Sequence, residues 1–154
     1  MTPERKRYLL ALTQFPQLTV NESAVARAWL IKHADEYDDV DFSVRLGSTV
    51  DRQPAWDDVT YQQAQILSQK RIDLVAYKGS TVTIIEVKLR VSLAALGQLL
   101  GYAILWRAEN PETTQVNLEA IGNSALVDAH DLLLSHGVTM ELFTDAGLVT
   151  LPKG

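Results

Sequence analysis

Residues 71–90 read RIDLVAYKGSTVTIIEVKLR, and the reading of this stretch decides the fold. Two β-rich runs, Arg71–Tyr77 and Thr81–Arg90, flank Lys78-Gly79-Ser80, which is the pattern of a hairpin. Glycine at the first central position predicts a two-residue type II′ turn at Gly79-Ser80. Lys78 then pairs with Thr81, and counting outward sets Asp73 opposite Glu86. Directly paired residues share a face with Cβ atoms about 4.5–5.5 Å apart, so two carboxylates converge. Lys88 lies two residues beyond Glu86 and points the same way. Like charges that close repel and, where water is scarce, force one group to hold a proton unless a cation sits between them. Val82, Ile84 and Ile85 make the strand interior apolar, and charges at the end of a buried strand need a reason. The oxygen-only donor set, with no cysteine in the chain, favours Mg²⁺ or Mn²⁺ over zinc.

Outward from the hairpin, Thr2-Pro3-Glu4 predicts a helix start reaching about Thr13. Asn21 is the expected cap of a second helix running to about Asp35, with Glu22 in its first turn. Val40–Gly47 alternates as a half-exposed strand. Residues 48–70 hold a loop around Pro54 and a helix from Asp57 or Asp58 to Ser68. Ser92 caps a helix to about Arg107, in which Gln98 and Tyr102 are the only polar side chains before Arg107. That helix is therefore expected to be buried almost all round. A strand near Gln115–Ile121, a helix near Ala125–Ser135 stopped by Gly137, and a strand Val138–Phe143 complete the order. A hairpin plus crossover helices implies an α/β fold: a three-layer sandwich whose central mixed sheet of four to five strands is flanked by helices.

The chain has 154 residues, 47% of them hydrophobic and 21% charged, as expected for a single globular domain spanning residues 1–154. Zero cysteines exclude a disulfide framework, a thiolate metal site and a cysteine nucleophile. Net charge is −5, which excludes coating of nucleic acid by bulk positive charge. Charge is unevenly spread, however. From Lys70 to Arg107 there are six basic residues (Lys70, Arg71, Lys78, Lys88, Arg90, Arg107) against Asp73 and Glu86, or +4, leaving −9 elsewhere. Basic residues near a metal site can grip phosphate on an otherwise acidic protein. No apolar run is long enough to span a membrane and no signal-peptide core follows Met1, so a cytoplasmic location is expected. His33, His130 and His136 read as helix-face or helix-end residues rather than ligands. Trp29, Trp56 and Trp106 read as core or core edge, with Trp56 also placed to stack on a base. No phosphate-binding G-x-x-x-x-G-K-[ST] loop occurs, and no G-x-S-x-G elbow.

Ile72-Asp73, the spacer, Glu86-Val87-Lys88 and a following helix bearing Gln98 resemble the PD-(D/E)XK nuclease superfamily, whose fold is restriction-endonuclease-like. Gln98-Leu99-Leu100-Gly101-Tyr102 is similar to the Gln-x-x-x-Tyr feature of its RecB-type and lambda-exonuclease-type branches. Ile72 stands where the nominal proline would be. The resemblance implies that Asp73 and Glu86 ligate Mg²⁺ (Mn²⁺ substituting) with the Val87 carbonyl, and that Lys88 orients or helps deprotonate the attacking water. It also implies an additional acidic ligand at the place of Glu22, which equally serves as a first-turn dipole partner. Gln98 and Tyr102 share a helix face and either orient the nucleophile and touch DNA or are satisfied core residues. Arg71 and Arg90 are expected substrate contacts. The implied activity is magnesium-dependent hydrolysis of DNA phosphodiester bonds in repair, recombination, restriction or mobile-element processing. The implied partner is DNA, with a homodimer or larger complex where both strands are cut. The alternative is a catalytically silent module of the same fold that binds DNA or a protein partner.

Overall fold

The computed structural model describes residues 1–47 and 51–147. Helix α1 (Pro3–Ala11) starts on Thr2, whose hydroxyl accepts from the Arg5 amide, with proline at the first helical position where its missing N–H costs nothing. Helix α2 (Val20–His33) is capped two residues earlier than the sequence suggests. Thr19, not Asn21, is the cap, and Thr19 and Glu22 form a reciprocal capping box. A short 3₁₀ turn, Ala34–Glu36, leads into β1 (Asp39–Leu46). Residues 48–50, part of the connection read as a loop, lie outside the described residues. Helix α3 (Asp58–Ser68), capped by Asp57, precedes β2 (Lys70–Lys78) and β3 (Thr81–Val87).

Beyond β3 the chain makes a two-residue strand β4 (Arg90–Val91), helix α4 (Leu93–Glu109) and strand β5 (Gln115–Gly122). Strand β6 (Ser124–Ala125), helix α5 (Ala129–Ser135) and strand β7 (Val138–Leu142) follow. The five-stranded sheet has the order β1-β2-β3-β5-β7, antiparallel across β1, β2 and β3 and parallel across β3, β5 and β7. The fold is thus α/β with a mixed sheet flanked by helices. Lys78↔Thr81 through Leu74↔Ile85 is the predicted hairpin register, and Gly79 alone of the two turn residues has positive φ, 56°, as a type II′ turn requires.

The sheet is packed on both faces, which makes three layers. Leu9, Phe15, Val25, Trp29 and Leu30 from α1, α2 and their connection cover Val40, Leu74, Ile85 and Ile121. Ala95, Leu99, Tyr102 and Trp106 of α4, with Leu133 of α5, cover Val75, Val82, Ile84 and Leu118. Strand β3 lies third of five and is buried from Val82 to Val87, as expected for a strand covered on both sides. Ion pairs fasten the outer layer. Arg5 binds Asp39 at 2.7 Å, Lys32 pairs with Glu141, and His33 bridges Glu36 (3.0 Å) and Glu141 (2.7 Å). Beneath them Glu119, which accepts from the Trp29 indole at 3.3 Å, is pushed up to about 7 by burial and by Glu141.

Two further expectations are corrected. Thr81–Arg90 is not one strand: the Lys88 amide still donates to Ile121 O at 2.9 Å, but the chain then leaves the sheet, and Arg90–Val91 pairs in parallel with Ser124–Ala125. Nor is α4 buried all round. Leu93, Leu100 and Ile104 are exposed, Ile104 at 68%, because one sheet can cover only one face of a helix.

The departure of the chain at Lys88 depends on Gly122. A methyl group there would sit inside the van der Waals surface of the Lys88 carbonyl oxygen, 2.9 Å from Val91 Cγ2 and 3.1 Å from Leu89 O. Most of these neighbours are backbone, so Lys88 itself must shift. Gly122→Ala is expected to cost about 1–3 kcal/mol, seen as a lower midpoint in thermal melts. Ile84→Ala, which leaves a cavity in the central strand, should cost about 2–5 kcal/mol in the same assay.

Candidate active site

Asp73 and Glu86 follow directly on the last Leu74↔Ile85 pair of the hairpin ladder, at the end away from the turn. The strands fork there. The Val87 amide, the next donor on β3 that faces β2, is taken by the Asp73 carboxylate, Val87 N to Asp73 Oδ2 at 2.8 Å. Gln17, from the connection between α1 and α2, donates its amide to Asp73 Oδ1 at 3.1 Å. Glu86 lies against Asp73 closely enough for a hydrogen bond between the carboxyl groups, which forms only when one is protonated. Lys88 Nζ is 3.3 Å from Glu86 Oε1. Asp73 is 8% and Glu86 3% exposed, whereas the Lys88 side chain is partly open to solvent.

Burial is the largest influence on both acids. It pushes Glu86 up to about 8, reinforced by the Asp73 charge and opposed by Lys88. It also raises Asp73, against the pull of the Val87 amide, Gln17 and Lys88, with Glu22 adding to the rise. The pair therefore holds a proton near neutrality unless a cation replaces it.

The residues fit a hard divalent ion. Glu86 Oε2 is buried and has no hydrogen-bond partner, and an orphaned carboxylate oxygen beside a second carboxylate is the donor set such an ion requires. Among the described residues no three His, Cys, Asp or Glu side chains converge to hold a metal, so main-chain oxygen or water must complete any shell. In an extended strand the carbonyl of a residue points to the same side as its N–H. The Val87 amide already points at Asp73, which puts the Val87 carbonyl on the side of the fork.

The remaining sequence-predicted residues divide. Glu22 is engaged in the capping box, with Oε1 accepting from the Thr19 amide at 3.0 Å, yet its charge reaches Asp73. It is thus both a helix-start residue and a neighbour of the pair. Tyr102 is buried over the carboxylates, which together with burial raise its pKa, and its hydroxyl donates to Arg71 O at 3.0 Å. That bond uses the phenol to hold the start of β2. Gln98, one turn earlier, has its Oε1 buried without a partner and lines a cavity of about 310 Å³ with Lys70, Gly97, Gly101, Tyr102 and Leu105. Arg71 lies two residues before Asp73 on β2, and exposed Arg90 lies on β4. Of the six basic residues in 70–107, Lys70, Arg71, Lys88 and Arg90 belong to the forked end, because β2 begins where β3 finishes. Lys78 is at the hairpin turn and Arg107 near the far end of α4.

Gln17 was not legible as a site residue. The only local signal is the turn-forming pair Pro16-Gln17, which says nothing about a carboxylate 56 positions away. The histidines stay apart from the fork, with His33 in its ion pairs and His136 accepting or donating within its own helix end. Among the described residues no helix is long and apolar enough to cross a membrane.

No family model matches the chain, and no curated protein matches it. A solved structure described as the EndoMS-dsDNA2 complex is similar over 86% of this chain, with a TM-score of 0.46 and 15% identity. The chain spans about half, 48%, of the length of that protein.

The raised pKa values of the carboxyl groups fix a sign for stability. A folded-state pKa above the unfolded value means that the native state binds more protons, so stability is full below about pH 4.5 and is lost as pH rises toward 8. Thermal melts in chelator should show the midpoint falling from pH 5 to 8.5. Glu119 acts in the same direction but finishes near 7. Glu86→Gln should therefore flatten the curve chiefly between pH 7 and 8.5, and millimolar Mg²⁺ should restore the wild-type midpoint at high pH.

Proposed function

We propose that this chain is a divalent-metal-dependent deoxyribonuclease of the PD-(D/E)XK type. The observation that carries the reading is the convergence of Asp73, Glu86 and Lys88 at the fork of β2 and β3, with one Glu86 oxygen buried and unpaired. Asp73, Glu86 and the Val87 carbonyl would hold Mg²⁺, or Mn²⁺ in its place. When bound, the ion supplies positive charge against the phosphoryl oxygens and lowers the pKa of a neighbouring water.

The protein's own groups do the rest. The Lys88 ammonium is paired with Glu86 and its side chain is partly open to solvent, so it can orient the attacking water and offset charge on the scissile phosphate. Lys70, Arg71 and Arg90 stand at the same end of the sheet and are placed to bind flanking phosphates, which fixes register without reading sequence. Gln98 lines the neighbouring cavity and has an unpartnered buried Oε1, and its side chain would help to orient water or substrate there. Tyr102 acts through Arg71, by holding the β2 backbone.

Cleavage of supercoiled, linear, single-stranded and branched DNA with Mg²⁺ or Mn²⁺ tests the reading. Asp73→Ala should abolish cleavage, and Lys88→Ala should reduce it about 10²–10³-fold. Arg71→Ala should weaken binding and shallow its salt dependence while leaving the cut products the same. DNA binding without metal-dependent cleavage on any of these substrates would replace the enzyme by a silent binding module of the same fold.

A further inference from the structure

The turn that carries Gln17 runs against the backbone preference of its own sequence. Phe15–Leu18 is a β-turn closed by the Leu18 amide donating to Phe15 O at 3.3 Å, with Pro16 second and Gln17 third at φ 58°. Proline followed by a left-handed residue is the pattern of a type II turn, whose third position favours glycine or asparagine. A glutamine there crowds its Cβ against the following carbonyl. The turn is nevertheless held firmly. Phe15 and Leu18 are buried, the Phe15 amide donates to Ser23 Oγ at 3.1 Å, and Gln14 Nε2 donates to Leu18 O at 2.7 Å.

Among the described residues, the non-glycine positions with positive φ are Gln17 and Ser43. Both bear on Asp73, one by contact and one by register. Gln17 donates to Asp73 Oδ1, and the β1–β2 register sets Ser43, at φ 53°, across from Asp73, between Phe42↔Leu74 and Val44↔Ile72. Strain of this kind persists where surrounding structure over-determines it, and it gathers at functional groups. The chemistry of the donor also suits the place. With Val87 N–H on Oδ2 and the Gln17 amide on Oδ1, each Asp73 oxygen spends one lone pair on a neutral donor and keeps another. A lysine or arginine at position 17 would instead cancel the charge that attracts a cation.

We propose that Gln17 is a positioning residue, whose amide aims the Asp73 carboxylate at Glu86 for divalent-ion binding while the 15–18 turn carries the backbone strain that this reach requires. The inference rests on the metal-dependent reading above. Outer partners of ligating carboxylates typically change metal affinity by about 10–100-fold when removed.

The test is a cycle of Gln17→Gly and Asp73→Ala, melted in chelator, together with calorimetric Mg²⁺ titration of wild type, Gln17→Gly and Gln17→Asn. With Asp73 removed, Gln17→Gly only relieves strain and should raise the midpoint by roughly 2–4 °C. With Asp73 present it also removes a hydrogen bond, so the gain should shrink or reverse. Both Gln17 variants should bind Mg²⁺ about 10-fold or more weakly, although neither loses a ligand. Asparagine tolerates the turn and keeps an amide that is one methylene too short. Equal midpoint shifts in both backgrounds, or Mg²⁺ affinity within two-fold of wild type, would overturn the role. A wild type that binds neither Mg²⁺ nor Mn²⁺ would overturn the nuclease reading and the purpose assigned to Gln17. Coupling between positions 17 and 73 in the chelator melts reports the contact alone, which separates the two failures.

Discussion

Two carboxylates face each other at the open end of an apolar hairpin, and the cost of keeping them there organises the structure around them. Asp73 and Glu86 are both nearly out of contact with water. Burying one unpaired charge is expensive, and burying two of the same sign more so. The molecule answers with three donors of different character: a main-chain amide from Val87, a side-chain amide from Gln17 and the ammonium of Lys88. One oxygen, Glu86 Oε2, is left without any of them. That bare valence is where the proposed cation would bind.

The layers serve this arrangement. Strands β2 and β3 must run apolar to their last pair to keep the fork dry, and α4 must cross over it to bring Tyr102 near the acids. The chain leaves β3 at once, with the Lys88 main chain still bonded to Ile121 and its partly exposed side chain paired with Glu86. That exit passes over Gly122, where no side chain fits. The second face carries its own acid, the half-buried Glu119, but there Trp29 and the ion pairs of Lys32 and His33 with Glu141 surround it, and it has no buried oxygen without a partner. The contrast separates a structural acid network from one that is open to a ligand.

Charge follows the same division of labour. The chain is acidic as a whole, yet four cations gather at the forked end because β2 starts where β3 stops. Lys78 and Arg107, adjacent to them in sequence terms, are carried to the opposite end by the lengths of β2 and α4. The local excess near the site is therefore smaller in number but closer in space than the sequence count suggests.

Much of this was determined by sequence alone. Glycine at position 79 and the alternation on either side of it dictate the hairpin register, and the register dictates that Asp73 opposes Glu86 and that Lys88 shares their side, since turn geometry and a two-residue period are local properties. Tertiary structure decided what no local rule could reach. That Glu22 both closes the Thr19 capping box and lies near enough for its charge to act on Asp73 is a matter of packing, and the exit of the chain at Lys88 depended on a glycine 34 residues later. The exposed face of α4 followed from the sheet having only two sides. Gln17 is the sharpest case: a residue that looks like the second half of a Pro-Gln turn becomes the partner of a carboxylate in the middle of the chain. Hydrogen bonds between distant segments obey no spacing, so only the packed layers could bring that amide to Asp73.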